Sequence, residues 1–232
     1  VSAPTEIDAP AHTGIVVRGA TKRFGEQLAL PPTDLTAPAG QIALLIGANG
    51  AGKTTMLRIL ATLVLPDAGL VRVNGVDPIT DGTLVRHQIG LALVNERSIF
   101  WRLTVLENLT LFARVRGLGK REREAHCRAV LAEVGIEHLA DRQAHALSAG
   151  QRQRVILARA LVGDPAVLLI DEPLRGLDAD AEQLVLDALQ RRAAAGDTVL
   201  IATPSLREYA ALPQEHVARV GEVAGASGGF AA

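Results

Sequence analysis

The apolar positions of the chain follow two different periods. Short continuous runs at Gly14–Val17, Gln41–Ile46, Ile89–Val94, Ala166–Ile170 and Thr198–Ala202 have strand length and predict buried strands. The last two lie between helical segments, which predicts parallel strands covered on both faces. Leu70-Val-Arg-Val-Asn-Gly75 instead alternates with period two and ends in a turn, so it predicts a half-buried antiparallel strand. From about Leu106 to Ala160 the period becomes helical. Val105–Val115, Arg121–Val134 and Gln151–Val162 predict helices, with Gly117, Gly119 and Gly135 as breaks. We read residues 96–162 as a helical subdomain inserted into an α/β core that runs over residues 14–221, with no internal repeat.

Composition bounds this picture. A chain of 232 residues suffices for one sizeable domain with a small insertion, and 48% hydrophobic content excludes wholesale disorder. Residues 1–13 are Pro- and Ala-rich without a basic start or apolar signal core, and read as a flexible leader; the Gly/Ala/Ser-rich segment 222–232 reads as a flexible tail. A net charge of −1 offers no electrostatic footprint for nucleic acid, so none is expected as a partner. The Arg-rich stretch Lys120–Arg128 is interleaved with Glu122 and Glu124, as on a solvated helix face. Cys127 is the only cysteine, which excludes an internal disulfide, and no run approaches membrane-spanning length.

The chemistry concentrates first at Gly47-Ala-Asn-Gly-Ala-Gly-Lys-Thr-Thr55, which satisfies the G-x-x-x-x-G-K-[ST] pattern. The run Gln41–Ile46 precedes it as a strand, and Met56–Ala61 continues it as a helix whose N-terminus faces the loop. Gly47, Gly50 and Gly52 let the backbone turn tightly, so that N–H groups along Asn49, Ala51 and Thr55 converge on a polyphosphate. Lys53 is expected to reach the outer phosphates and the Thr54 hydroxyl to ligate Mg²⁺. Nucleotide with Mg²⁺ is thus the expected ligand. The fold class that follows is α/β, a P-loop NTPase core with a mixed sheet and an inserted helical subdomain.

A second set of motifs narrows the class. Leu147-Ser-Ala-Gly-Gln151 opens a helix and resembles the signature motif of ATP-binding-cassette (ABC) ATPases. Val167-Leu-Leu-Ile-Asp171-Glu172 resembles the Walker B strand with its catalytic glutamate, Leu174-Arg-Gly-Leu-Asp178 the D-loop, and Thr21-Lys-Arg-Phe24-Gly25 the aromatic A-loop. The resemblance covers about Ile15 to Val220. It implies that Asp171 holds Mg²⁺, that Glu172 polarises the attacking water, and that Phe24 stacks on adenine. It implies further that Ser148, Gly150 and Gln151, with Asp178, complete the ATP site of a second cassette subunit. Two subunits would then sandwich two ATP head-to-tail and drive a separately encoded membrane permease, placing the chain at the cytoplasmic face of a membrane. The segment Arg97–Arg102 falls where the family docks its permease, and Phe100 and Trp101 are natural anchors there.

Two positions depart from the family pattern. Asn95 stands where the Q-loop glutamine is expected, one methylene shorter, with Glu96 beside it as an alternative oxygen ligand. Pro204 stands where the switch histidine is expected, and it has neither a side-chain donor nor a backbone N–H. Either Thr203 or Ser205 compensates, or hydrolysis is slow and the chain clamps ATP in a heterodimer. Ala149, in place of a second signature glycine, is a milder departure, and His145 is expected to be an ordinary surface or packing residue. The resemblance is stronger to export-type single cassettes than to sugar importers. A soluble ABC ATPase of DNA repair or translation is the remaining alternative.

Overall fold

The computed structural model describes residues 14–93, 99–212 and 215–220. Two sheets form the frame. Strands β1 (Ile15–Phe24), β2 (Gln27–Ala37) and β4 (Ala68–Val73) pair antiparallel in the order β2-β1-β4. Strands β3 (Ile42–Ile46), β5 (Ile89–Ala92), β6 (Val167–Asp171), β7 (Thr198–Thr203) and β8 (Val217–Arg219) are parallel in the order β5-β6-β7-β3-β8. The mixed architecture matches the expectation, including the antiparallel strand at residues 70–73. The first strand extends seven residues beyond Val17, through the A-loop residues to Phe24.

Three elements escape the sequence pattern for physical reasons. β2 contains Pro31 and Pro32, which read as breakers, yet β2 lies at the edge of its sheet, where one side needs no ladder donor. β8 has three residues and is held by β3, through Leu44 N to His216 O at 2.8 Å and Val220 N to Ile46 O at 2.8 Å. The helix α2 (Gly82–Gln88) has seven residues and buries only Val85, too little to show a period. The other helices are α1 (Lys53–Leu60), α3 (Val105–Val115), α4 (Lys120–Glu133), α5 (Ala149–Leu161) and α6 (Ala179–Ala194). The sequence pattern locates α3, α4 and α5 to within two residues at each end.

Continuous apolar strands arise because the parallel sheet is covered on both faces. Ile42, Leu44 and Ile46 of β3 face one core together with α3, α4, α5 and α6. Ala43 and Leu45 face a second core made by α1 and the antiparallel sheet. Leu168 and Ile170 of β6 divide from Val167 and Leu169 in the same way. Cys127 is buried on α4, whose remaining buried residues are Val130 and Leu131, so most of the helix is a solvated face. α3 and α4 pack on α5, while α5 itself lies against β5 and β6, so these helices share the core of the sheet. Among the described residues no helix is long and apolar enough to cross a membrane.

Candidate functional site

The C-terminal ends of β3 and β6 open on one cleft, the place where parallel α/β sheets present ligand sites. From β3 the chain enters the loop 47–52 and then α1, whose N-cap Gly52 has φ 110°. A Cβ at Gly52 would stand 2.5 Å from Ala29 O, and one at Gly47 would stand 2.8 Å from Val220 O. The loop therefore fits between β2 and β8 only with glycine at both places, and it leaves a cradle of backbone on its open side. The cleft, about 300 Å³, is lined by Asn49, Gly50, Gly52, Lys53, Thr54 and Thr55 of the loop and α1. Asp171 and Glu172 close one side, and Phe24, Gln27 and Ala29 the other. Gly47 and Ala51 face the loop's other flank, against Arg219 and Val220.

Lys53 is buried at 5% exposure, and its ammonium donates to Gly47 O at 2.7 Å and Ala48 O at 3.1 Å. No carboxylate pairs with it among the described ion pairs, and an ammonium has three N–H groups. A buried cation held only by carbonyls, beside a backbone cradle, fits a polyanion. Thr54 Oγ1 donates to Asp171 Oδ2 at 2.7 Å, so two hard oxygens meet at one point. Burial pushes the Asp171 carboxyl above its ordinary range; the Thr54 hydroxyl counters this, and the neighbouring Glu172 charge adds to it. A carboxylate in that state gains from a cation, which is the donor set a small hard metal ion takes.

Glu172 is one of four non-glycine residues at positive φ in the described chain, at 43°. Three bonds hold that conformation. Its N–H donates to Ala202 O at 2.9 Å, and its carbonyl accepts from Gln153 Nε2 at 3.2 Å and from Arg175 N at 3.2 Å. Such over-determined backbone is typical of sites where a side chain must be aimed. Gln153, buried at 8%, is a residue the sequence reading passed over; its place inside Arg152-Gln-Arg154 gives no signal until α5 packs against the end of β6. Gln27 and Ala29 were likewise invisible, because they belong to the edge strand β2. Phe24 is half exposed at the mouth of the cleft, with Lys22 Nζ 5.6 Å above its ring.

The signature residues stand apart from this cleft. Ser148 caps α5: Gln151 N donates to Ser148 Oγ at 3.2 Å, and Ser148 N donates to Gln151 Oε1 at 3.0 Å. A Cβ at Gly150 would stand 2.7 Å from Gly176 O, so the start of α5 packs directly on the turn 172–177. Asp178 caps α6, accepting from Ala181 N at 2.9 Å. None of Ser148, Gly150, Gln151 and Asp178 lines the cleft of Lys53. The chain by itself does not bring the signature residues to this cleft.

Pro204 is exposed just beyond β7. Thr203 beside it is fully buried, and its hydroxyl accepts from Ser205 N at 3.2 Å while donating to Ser205 O at 3.0 Å. Ser205 Oγ in turn accepts from Arg207 N at 3.2 Å. Asn95 and Glu96 lie outside the described residues. Phe100 and Trp101 are exposed, at 48% and 38%, and the chain around them is pinned by the buried amide of Asn108. Asn108 Oδ1 accepts from Phe100 N at 2.9 Å, and Asn108 Nδ2 donates to Phe100 O at 3.1 Å and Thr104 O at 2.9 Å. His145 is exposed, with its ring nitrogen Nδ1 3.3 Å from Trp101 O.

Comparison with known proteins agrees with this arrangement. The ABC transporter family model matches residues 30–175, more than half of the chain. A daunorubicin resistance ATP-binding protein of Streptomyces coeruleorubidus is 38% identical over 198 residues, covering 85% of this chain and 62% of the relative. The ABC transporter ATP-binding protein NatA of Bacillus subtilis is 33% identical, covering 85% of this chain and 82% of the relative. The chain spans only about half of sulfate/thiosulfate import ATP-binding proteins such as that of Burkholderia mallei, at 42% identity and 51% of their length. Among solved structures, a dimeric bacterial ABC transporter cassette superposes with a TM-score of 0.79 at 27% identity, covering 89% of this chain and 94% of that one. From the glycine cradle, the Thr54–Asp171 pair and the capped signature helix through to these relatives, the observations agree: the chain belongs to the ABC transporter family, in its ATP-binding cassette.

Proposed function

We propose that the chain is the ATP-hydrolysing cassette of an ABC transporter, working as one of two head-to-tail subunits beneath a separate membrane permease at the cytoplasmic face of the membrane. The observation that carries this is the cleft in which Lys53, Thr54, Asp171 and Glu172 line one space. Lys53 would leave its loop carbonyls for the outer phosphates of ATP, and backbone N–H groups of residues 49–55 would surround the rest. Thr54 and Asp171 would hold Mg²⁺, which when bound neutralises phosphate charge. Glu172, aimed by its three backbone restraints, would accept a proton from the attacking water. Phe24 would offer its exposed face to the adenine. The free N-terminal end of α5, with Ser148 and Gly150, would meet the nucleotide held by the second subunit, and Asp178 would lie at that boundary. Homo- or heterodimer pairing follows the same geometry. The pinned, exposed pair Phe100 and Trp101 supports a permease contact at this place.

A second reading, in which the chain clamps ATP in a heterodimer and hydrolyses it slowly, is favoured by Pro204 together with the internally satisfied Thr203 hydroxyl. Steady-state ATP turnover of the full chain with its permease separates the two. The first reading expects Lys53→Ala to lose ATP binding or turnover and Glu172→Gln to abolish turnover while leaving binding intact. Turnover that persists undiminished in Glu172→Gln would overturn it in favour of the clamp.

A further inference from the structure

The turn that follows Glu172 sets the Arg175 side chain beside its carboxylate. The Arg175 Nη1 atom lies 3.5 Å from Glu172 Oε2, while Lys53 is bonded to its own loop carbonyls and Pro204 supplies no donor. β6 presents Asp171, whose charge opposes a second carboxylate, and α1 presents Lys53. α5 presents the neutral amide of Gln153 to the Glu172 carbonyl, and the segment after β7 presents the buried, uncharged Tyr209. Arg175 is therefore the cation in ion-pair contact with Glu172 among the described residues.

Its position is not left to a flexible loop. Arg175 N donates to Glu172 O, Leu177 N donates to Leu174 O at 3.1 Å, and Gly176 turns at φ 75°. Gly150 at the start of α5 closes on Gly176 O with no room for a Cβ. The signature helix thus sets the turn, the turn sets Arg175, and Arg175 meets the carboxylate of Glu172.

We propose that Arg175 is a positioning residue for hydrolysis, orienting the Glu172 carboxylate through this ion-pair contact, a cis-acting charge at a site where Pro204 supplies no side-chain donor. This rests on the reading of Glu172 as general base. Replacing Arg175 by Ala is expected to lower kcat about three- to tenfold at unchanged KM for ATP, the scale of a modest loss of orientation. Arg175→Lys should recover most of the lost kcat, again at unchanged KM, because it restores a cation opposite the carboxylate. An unchanged or raised kcat in Arg175→Ala, or a loss in Arg175→Lys as large as in Arg175→Ala, overturns the proposal. Loss of turnover in Glu172→Gln with no effect of Arg175→Ala would reject Arg175 while leaving the general base standing, whereas persistent turnover in Glu172→Gln would reject the base itself.

Discussion

At the scale of single residues, the site is a set of polar groups kept buried at a cost. Asp171 is the clearest case. Burial raises its carboxyl above the ordinary value of 3.8, and the negative charge of Glu172 adds to the rise against the opposing Thr54 bond. The native state then holds the proton to higher pH than the unfolded chain does. Native stability therefore falls as pH rises from below 3.8 through the raised native value, and at neutral pH the full penalty is present. Asp171→Asn keeps an acceptor for Thr54 and removes the charge. Without nucleotide or Mg²⁺ it should stabilise the chain at pH 7.5 by about 1 kcal/mol, as usual for relief of a functional site, read as a raised thermal midpoint. The difference should narrow as pH approaches 4, and a midpoint at or below that of the parent chain would contradict this account. The residue types in the phosphate loop were legible in the sequence because each has a fixed chemical task. Gln153 and Arg175 were not, since an amide or a guanidinium acquires a task only from what folding sets beside it.

At the scale of elements, helix ends do much of the positioning. Thr104 and Glu107 form a reciprocal cap on α3, as Ser148 and Gln151 do on α5. One turn into α3, Asn108 makes three bonds that hold the chain at Phe100 and Thr104. Asn108→Leu should cost about 2–4 kcal/mol in urea unfolding, because buried backbone groups at residue 100 lose their partners. Trp101, the only tryptophan, supplies the local probe. Its fluorescence should become more accessible to acrylamide in the variant, and unchanged quenching would mean that Asn108 does not organise this segment. The helices α3, α4 and α5 were readable because each exceeds ten residues and buries one stripe. β2, β8 and α2 were not, because an edge strand tolerates proline and very short elements borrow their stability from neighbours.

At the scale of the whole molecule, the signature residues do not line the cleft of Lys53, and the proposed function expects two chains to assemble. A Glu172→Gln chain with Mg-ATP should sediment as a dimer. Adding Ser148→Arg, which sets a bulky cation at the α5 cap, should return it to monomer while the nucleotide-free fold stays intact. A dimer that survives Ser148→Arg would remove the composite site from consideration. The sequence by itself determined the class of fold, the phosphate loop, the paired carboxylates and the signature, because these depend on residue identity over short spans and on strands buried on both faces. Only the tertiary structure decided that Thr203 is spent on Ser205, that Glu172 is held at positive φ by β7 and α5, and that Arg175 faces Glu172. The Glu172 restraints join segments distant in the chain, and the two short-range contacts depend on turns whose shape comes from the packing around them, so residue identity alone encodes none of the three.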